Sequence, residues 1–179
     1  MTLEELWRLF PIQLSAYDPR WAAWYSDECE RLQALLGDRI AKIDHIGSTS
    51  VEGMLAKPIV DILLQVAPDA DRAELESLLL EDGWLVMAKD PDRGKLDLNK
   101  GYTPKGFAER VYHLHVRGKG DWDELYFRDY LADHPKAQEE YSALKRRLIK
   151  EYQYDRDAYT EAKTDFVKAC ATKAREEGL

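Results

Sequence analysis

Asp61 stands in a stretch, Ile59 to Val66, that is otherwise apolar except for Gln65. Period-two alternation puts Val60, Ile62, Leu64 and Val66 on one face of a strand and Ile59, Asp61, Leu63 and Gln65 on the other. An ionised carboxylate in mid-strand is costly unless it meets a cation, a metal ion or a hydrogen-bond donor. Upstream, the strand-like Ile43 to Ile46 runs into Gly47, Ser48, Thr49 and Ser50, the composition of a tight turn. A glycine turn lets backbone N–H groups and hydroxyls approach phosphate oxygens closely, and a strand carboxylate can hold a divalent metal bridging the same phosphates. That pairing suits nucleotidyl transfer, in which catalysis is mainly positioning and charge neutralisation.

A second alternating run sets Val111, His113, His115 and Arg117 against Tyr112, Leu114 and Val116. If His113 and His115 converge on Asp61, the three form a carboxylate and imidazole site, catalytic or metal-binding. Such a donor set suits zinc or manganese better than magnesium. In the competing reading the imidazoles hydrogen-bond to Asp61 and the turn hydroxyls inside a polar cleft, with no metal. Lys57, held extended by Pro58, Lys100 and Arg110 are candidate cations for a phosphate ringed by Ser48, Thr49 and Ser50. Lys145 and Lys163 sit beside core positions on helices, where they either snorkel toward the cleft or pair with acids. Asp97 could replace a missing acid, but nothing in the pattern places it within reach. His45 could be a further ligand, although a strand-end residue hydrogen-bonded to backbone is the simpler reading, and His134 reads as structural.

The elements that must position these groups follow from capping and periodicity. Asp18 and Pro19 open a helix that Gly37 closes, with Trp21, Trp24, Tyr25, Leu32 and Leu36 on one stripe. A helix from about Pro68 to Glu81 precedes a strand from Trp84 to Ala88. Lys95 to Lys100 alternates, with Lys95, Asp97 and Asn99 opposite Leu96 and Leu98, and pairs through the GYTPKGF loop with the His run. Both strands, like that of Asp61, show a polar face, which implies a sheet with helices on one side and a cleft on the other. Asp121 with Glu124 forms a capping pattern for a further helix. Pro135 and Asp155 then open two long helices forming a C-terminal hairpin.

The 179 residues fit one domain, 1–179, with 45% hydrophobic and 11% aromatic content, enough for a folded core. A net charge of −8 argues against a broad nucleic-acid or anionic-membrane footprint. The acidic start and the lack of a long apolar run predict a soluble cytoplasmic protein. Cys29 and Cys170 have no ligand spacing and read as reduced packing residues.

HIGSTSVEGMLAKPIVDILLQV, LNKG, YHLHV, FRDYLADHPKAQEEYSALK and YTEAKTDF together resemble the GrpB family, a branch of the DNA polymerase β-like nucleotidyltransferase superfamily. The resemblance implies an α+β fold: a nucleotidyltransferase-like mixed sheet flanked by helices, with the turn at its nucleotide end. It implies a nucleotide or phosphorylated small molecule as ligand, and a divalent metal (Mg, Mn or Zn) as possible cofactor. Gly47 and Ser48 match the superfamily's turn, and Asp61 its first carboxylate. Lys57 matches the family's Lys-Pro and Lys100 its Lys-Gly. The second carboxylate position falls on Leu63, and the strand of the third offers His113 or His115. A catalytically degenerate domain that senses a ligand or binds a protein is therefore the rival expectation.

Overall fold

A computed structural model describes residues 2–179. Five strands, β1 (Ile40–Ile46), β2 (Val60–Val66), β3 (Leu85–Asp90), β4 (Lys95–Thr103) and β5 (Gly106–Gly118), form one sheet in the order β1-β2-β5-β4-β3. β2 and β5 run parallel and all other neighbours antiparallel. β2 lies inside the sheet, and its Val, Ile and Leu side chains are buried on both faces, as expected of a strand sandwiched between layers. The β4–β5 connection is tighter than the GYTPKGF loop implies: Thr103 pairs with Gly106, leaving only Pro104 and Lys105 between them.

A short helix, α1 (Leu3–Leu9), precedes the sheet, and helices α2 (Arg20–Leu36) and α3 (Arg72–Glu81) cover one of its faces. Trp21, Trp24, Leu32 and Leu36 from α2, with Leu75 and Leu79 from α3, pack on Val60, Ile62, Leu64, Leu98, Leu114 and Val116. Each large side chain so buried contributes about 1.5–3 kcal/mol. Three further helices, α4 (Asp123–Asp133), α5 (Pro135–Tyr152) and α6 (Arg156–Glu176), make a bundle, so the expected α5–α6 hairpin is completed by α4. Val51 and Met54, just beyond the Gly-Ser turn, insert among Phe127, Leu131 and Tyr141 of this bundle. The turn is therefore fixed between sheet and helices.

Three helix starts differ from the sequence expectation. α2 begins one residue late, with Pro19 at the cap position and Asp18 accepting from the Arg20 N–H at 2.9 Å. α3 begins at Arg72, because Asp71 accepts from the Ala73 and Glu74 N–H groups and outcompetes Pro68 and Asp69 as the cap. Trp122 occupies the cap of α4 without a side-chain bond, so the Asp121 and Glu124 pattern is unused. Asp155 caps α6 as expected, accepting from the Ala158 N–H at 3.0 Å. Among the described residues, no helix is long and apolar enough to cross a membrane.

One irregularity bears on the site. The β4–β5 register shifts between Lys100 and Tyr102, with Gly101 at φ +93°. Across this irregularity two steps along β4, Lys100 to Tyr102, face five along β5, Tyr112 to Phe107, so the extra residues lie in β5 and Tyr102 meets the face that carries His113.

Candidate functional site

The sheet face opposite α2 and α3 is polar because three strands arrive in a particular register. Asp61 of β2 pairs with His113 of β5, and His115 of β5 pairs with Asp97 of β4. A hydrogen-bonded row results. Arg117 Nη2 lies 2.8 Å from Asp97 Oδ1, and His115 bridges two carboxylates, with Nδ1 3.0 Å from Asp97 Oδ1 and Nε2 3.2 Å from Asp61 Oδ1. His113 Nδ1 lies 3.4 Å from the same Asp61 oxygen. Its Nε2 lies 2.7 Å from Tyr102 Oη, which Arg156 Nη1 also reaches, at 2.6 Å. Because the guanidinium can only donate, Tyr102 Oη accepts from Arg156 and is free to donate its hydroxyl hydrogen bond to His113 Nε2, which leaves His113 Nδ1 to face Asp61.

This ordering sets the charges. Burial favours a neutral Asp61, but the bonds from His113 and His115 outweigh it and hold the carboxyl well below the ordinary range. Burial likewise works against a charged His115, yet its two carboxylate partners push it up to about 9, so it is an imidazolium at neutral pH. Burial dominates at His113, whose pKa is lowered despite Asp61.

Asp61, His113 and His115 of this row form one wall of a cleft of about 250 Å³. Gly47, Ser48 and Thr49 line its end, and Lys57, Lys145, Lys163 and Arg156 line its remaining side. Gly47 is at φ +72° and packs so closely on Asp61 that a Cβ there would lie 2.7 Å from Oδ2, which explains glycine at this turn. Lys145, 2% exposed, donates to Ser48 Oγ at 3.0 Å and to the Leu55 carbonyl, tying α5 to the turn. Burial lowers Lys145 to about 7, with Lys57 and Arg146 adding repulsion. Burial lowers Lys57 to about 8 although Asp61 partly compensates, and Lys163 is lowered well below its usual value by burial and by Lys57 and Lys145.

Of the residues singled out in the sequence, Gly47, Ser48, Thr49, Lys57, Asp61, His113 and His115 meet at this cleft. Thr49 is buried, its hydroxyl 2.9 Å from His45 Nε2. Ser50 turns inward and donates to the Gly47 carbonyl, closing the turn. Lys100 and Arg110 lie elsewhere. Lys100 projects from the helix-covered face to Glu28 at 2.8 Å and Asp82 at 2.9 Å, because Lys100 pairs with Tyr112, which faces that core. Arg110 pairs with Asp27 of α2 at 2.8 Å. Asp97, which the sequence pattern alone did not bring within reach, joins the site through His115. Arg156 and Tyr102 are additions the sequence did not flag.

The donor set fits a divalent metal poorly. Among the described residues, no group of three or more His, Cys, Asp or Glu side chains is disposed to hold an ion. The ring nitrogens facing Asp61 are engaged with its carboxylate, and the other nitrogen of His115 with Asp97. Leu63, the position that the resemblance assigns to a second carboxylate, is fully buried. His45 stacks on Tyr25 at 4.7 Å and is lowered to about 4 by burial; His134 stacks on Tyr130 and lies 2.8 Å from its carbonyl oxygen. Both are structural.

The fold is of the nucleotidyltransferase type: the chain superposes on the Cid1 poly(U) polymerase bound to MgATP with a TM-score of 0.51 at 13% identity, covering 84% of this chain and 46% of that one. Within that class the chain belongs to the GrpB family, whose description, GrpB protein, matches residues 11–173. The crystal structure of conserved protein GrpB from Enterococcus faecalis has a TM-score of 0.78 at 28% identity, covering 92% of this chain and 98% of that one. The UPF0157 protein YqkA of Bacillus subtilis is 30% identical over 97% of this chain, which spans 51% of that relative's length.

Proposed function

We propose that the cleft binds the phosphate groups of a nucleotide or of another phosphorylated small molecule. The observation that supports this most directly is the convergence of Lys57, Lys145, Lys163 and Arg156 on the Gly-Ser turn, with Asp61 the one carboxylate among the described cleft-lining residues. Desolvated ammonium groups that repel one another destabilise the ligand-free protein, and a bound polyanion removes that penalty. The sheet row supports the same reading from the other wall. Asp61 and Asp97 hold His115 as a further fixed cation and orient it.

Binding without turnover is the second reading, and Leu63 favours it. Metal-assisted phosphoryl transfer draws on two or three acidic ligands, whereas β2 supplies Asp61 alone.

Thermal unfolding with added ATP tests the proposal. At ligand a hundredfold above Kd, the melting temperature should rise by roughly 5–10 °C, and the rise should vanish in the Lys57→Met, Lys163→Met double variant. An unchanged melting temperature across ATP, GTP and inorganic tripolyphosphate would sink it. Release of pyrophosphate from bound ATP, followed in the same samples, separates transfer from binding alone.

A further inference from the structure

We propose that this cleft takes its phosphorylated ligand as the free anion, with no divalent metal, the amines of Lys57, Lys145 and Lys163 that line it balancing the anion's charge in place of carboxylate-bound ions. The inference rests on the phosphate-binding reading and specifies the chemical form of the ligand.

Four observations converge on it. The carboxylate that would be the first metal ligand, Asp61, is engaged by both imidazoles through one of its oxygens. Oδ1 meets His115 at 3.2 Å and His113 at 3.4 Å, so the oxygen that faces the imidazoles is already taken up by them. The second acidic position is the buried Leu63. The nearby carboxylate that could substitute, Asp97, is spent on His115 at 3.0 Å and Arg117 at 2.8 Å, and reaches the cleft only through that imidazole. The imidazoles themselves keep no free nitrogen, since His113 Nε2 is taken by Tyr102 Oη at 2.7 Å.

Charge points the same way. A divalent metal at a phosphoryl site screens the anion and offsets the charge of its own carboxylate ligands. Here the screening charge is already covalently attached, in Lys57, Lys145, Lys163 and Arg156 around a single carboxylate. Adding two more positive charges would increase repulsion among groups that already repel. A metal-free triphosphate carries the larger negative charge and is therefore the better ligand for such a cleft.

The experiment is calorimetric titration of the full chain with ATP and with inorganic tripolyphosphate, once in EDTA and once in excess Mg2+. Binding in EDTA at least as tight as in Mg2+ is the expected result. Lys163→Met, at a partly exposed position that leaves the turn intact, should weaken binding in EDTA roughly tenfold to a hundredfold. Binding that appears only with Mg2+ or Mn2+ would overturn the inference while leaving phosphate binding in place. Stoichiometric Mn2+ uptake by the ligand-free protein, lost in Asp61→Asn, would overturn it as well. Silence in both buffers would remove the phosphate reading itself, and this inference with it.

Discussion

Gly101→Ala is expected to destabilise the protein by about 3 kcal/mol or more, lowering its melting temperature by roughly 6–12 °C. Gly101 is at φ +93°, where an L side chain is strained, and an alanine Cβ would overlap the Arg110 carbonyl oxygen and crowd Val111 Cα at 3.0 Å. Neither neighbour is a flexible side chain that could swing aside. Both belong to the backbone of β5, so relief requires moving the strand that carries His113 and His115. The damage should reach the site as well as the fold. The register shift at Gly101 is what brings Tyr102 onto the His face, and straightening it would return Tyr102 toward the side of Lys100. Tyr102→Phe is the control: it keeps the bulge, removes the hydroxyl's two hydrogen bonds, with His113 and Arg156, and should cost about 1–2 kcal/mol. Chemical denaturation of the two variants checks the pair, and a Gly101→Ala protein as stable as Tyr102→Phe would show that the bulge is not needed.

How much of this was readable beforehand depends on what each residue needed. Asp61 announced itself, because a carboxylate in a buried strand must be compensated locally. The alternation of Val111 to Arg117 likewise placed His113 and His115 on one face. What alternation does not fix is register. Whether Asp97 or Asn99 faces His115 depends on how β4 slides against β5, which the Pro104–Lys105 turn and the Gly101 bulge decide together. Lys100 is instructive in the opposite sense. Its own strand pattern puts it opposite Lys95, Asp97 and Asn99, on the side where it meets Glu28 and Asp82, and only its place in a family-like LNKG run suggested the cleft. Lys145 and Lys163 carried a usable signal. Lys145 lies four residues after Tyr141 and three before Leu148, and Lys163 stands likewise between Tyr159 and Phe166, so each occupies the apolar stripe of its helix. A lysine on such a stripe must find a polar cleft at its tip. Arg156 had no comparable mark, since the first residue of a helix is ordinarily solvated.

Lys145→Met should separate stability from binding. Lowering a lysine from 10.5 to about 7 costs the folded state about 4 kcal/mol at pH 7, because the unfolded chain keeps its proton and the native protein half loses it. Methionine fills a similar volume and carries no charge. It forfeits the bonds to Ser48 and Leu55, worth about 2–3 kcal/mol together. The ligand-free variant should therefore be about 1–2 kcal/mol more stable than the parent at pH 7, while its affinity for tripolyphosphate falls at least tenfold. The pH dependence gives the sharper check. Lys145 and Lys57 have folded values of about 7 and about 8, below their unfolded 10.5, so between pH 7 and 10 the unfolded chain binds more protons and stability rises with pH. His115 opposes this: raised from 6.5 to about 9, its contribution is full below 6.5 and lost as pH climbs through 9. Two lysines, joined by Lys163, outweigh one imidazolium, so ligand-free stability should increase from pH 7 to 10. In Lys145→Met that slope should shrink by up to about 1.4 kcal/mol per pH unit, one proton's worth. A parent protein whose stability falls across this range, or a methionine variant less stable at pH 7, would mean that Lys145 is already neutralised within the fold and is not held in reserve for an incoming anion.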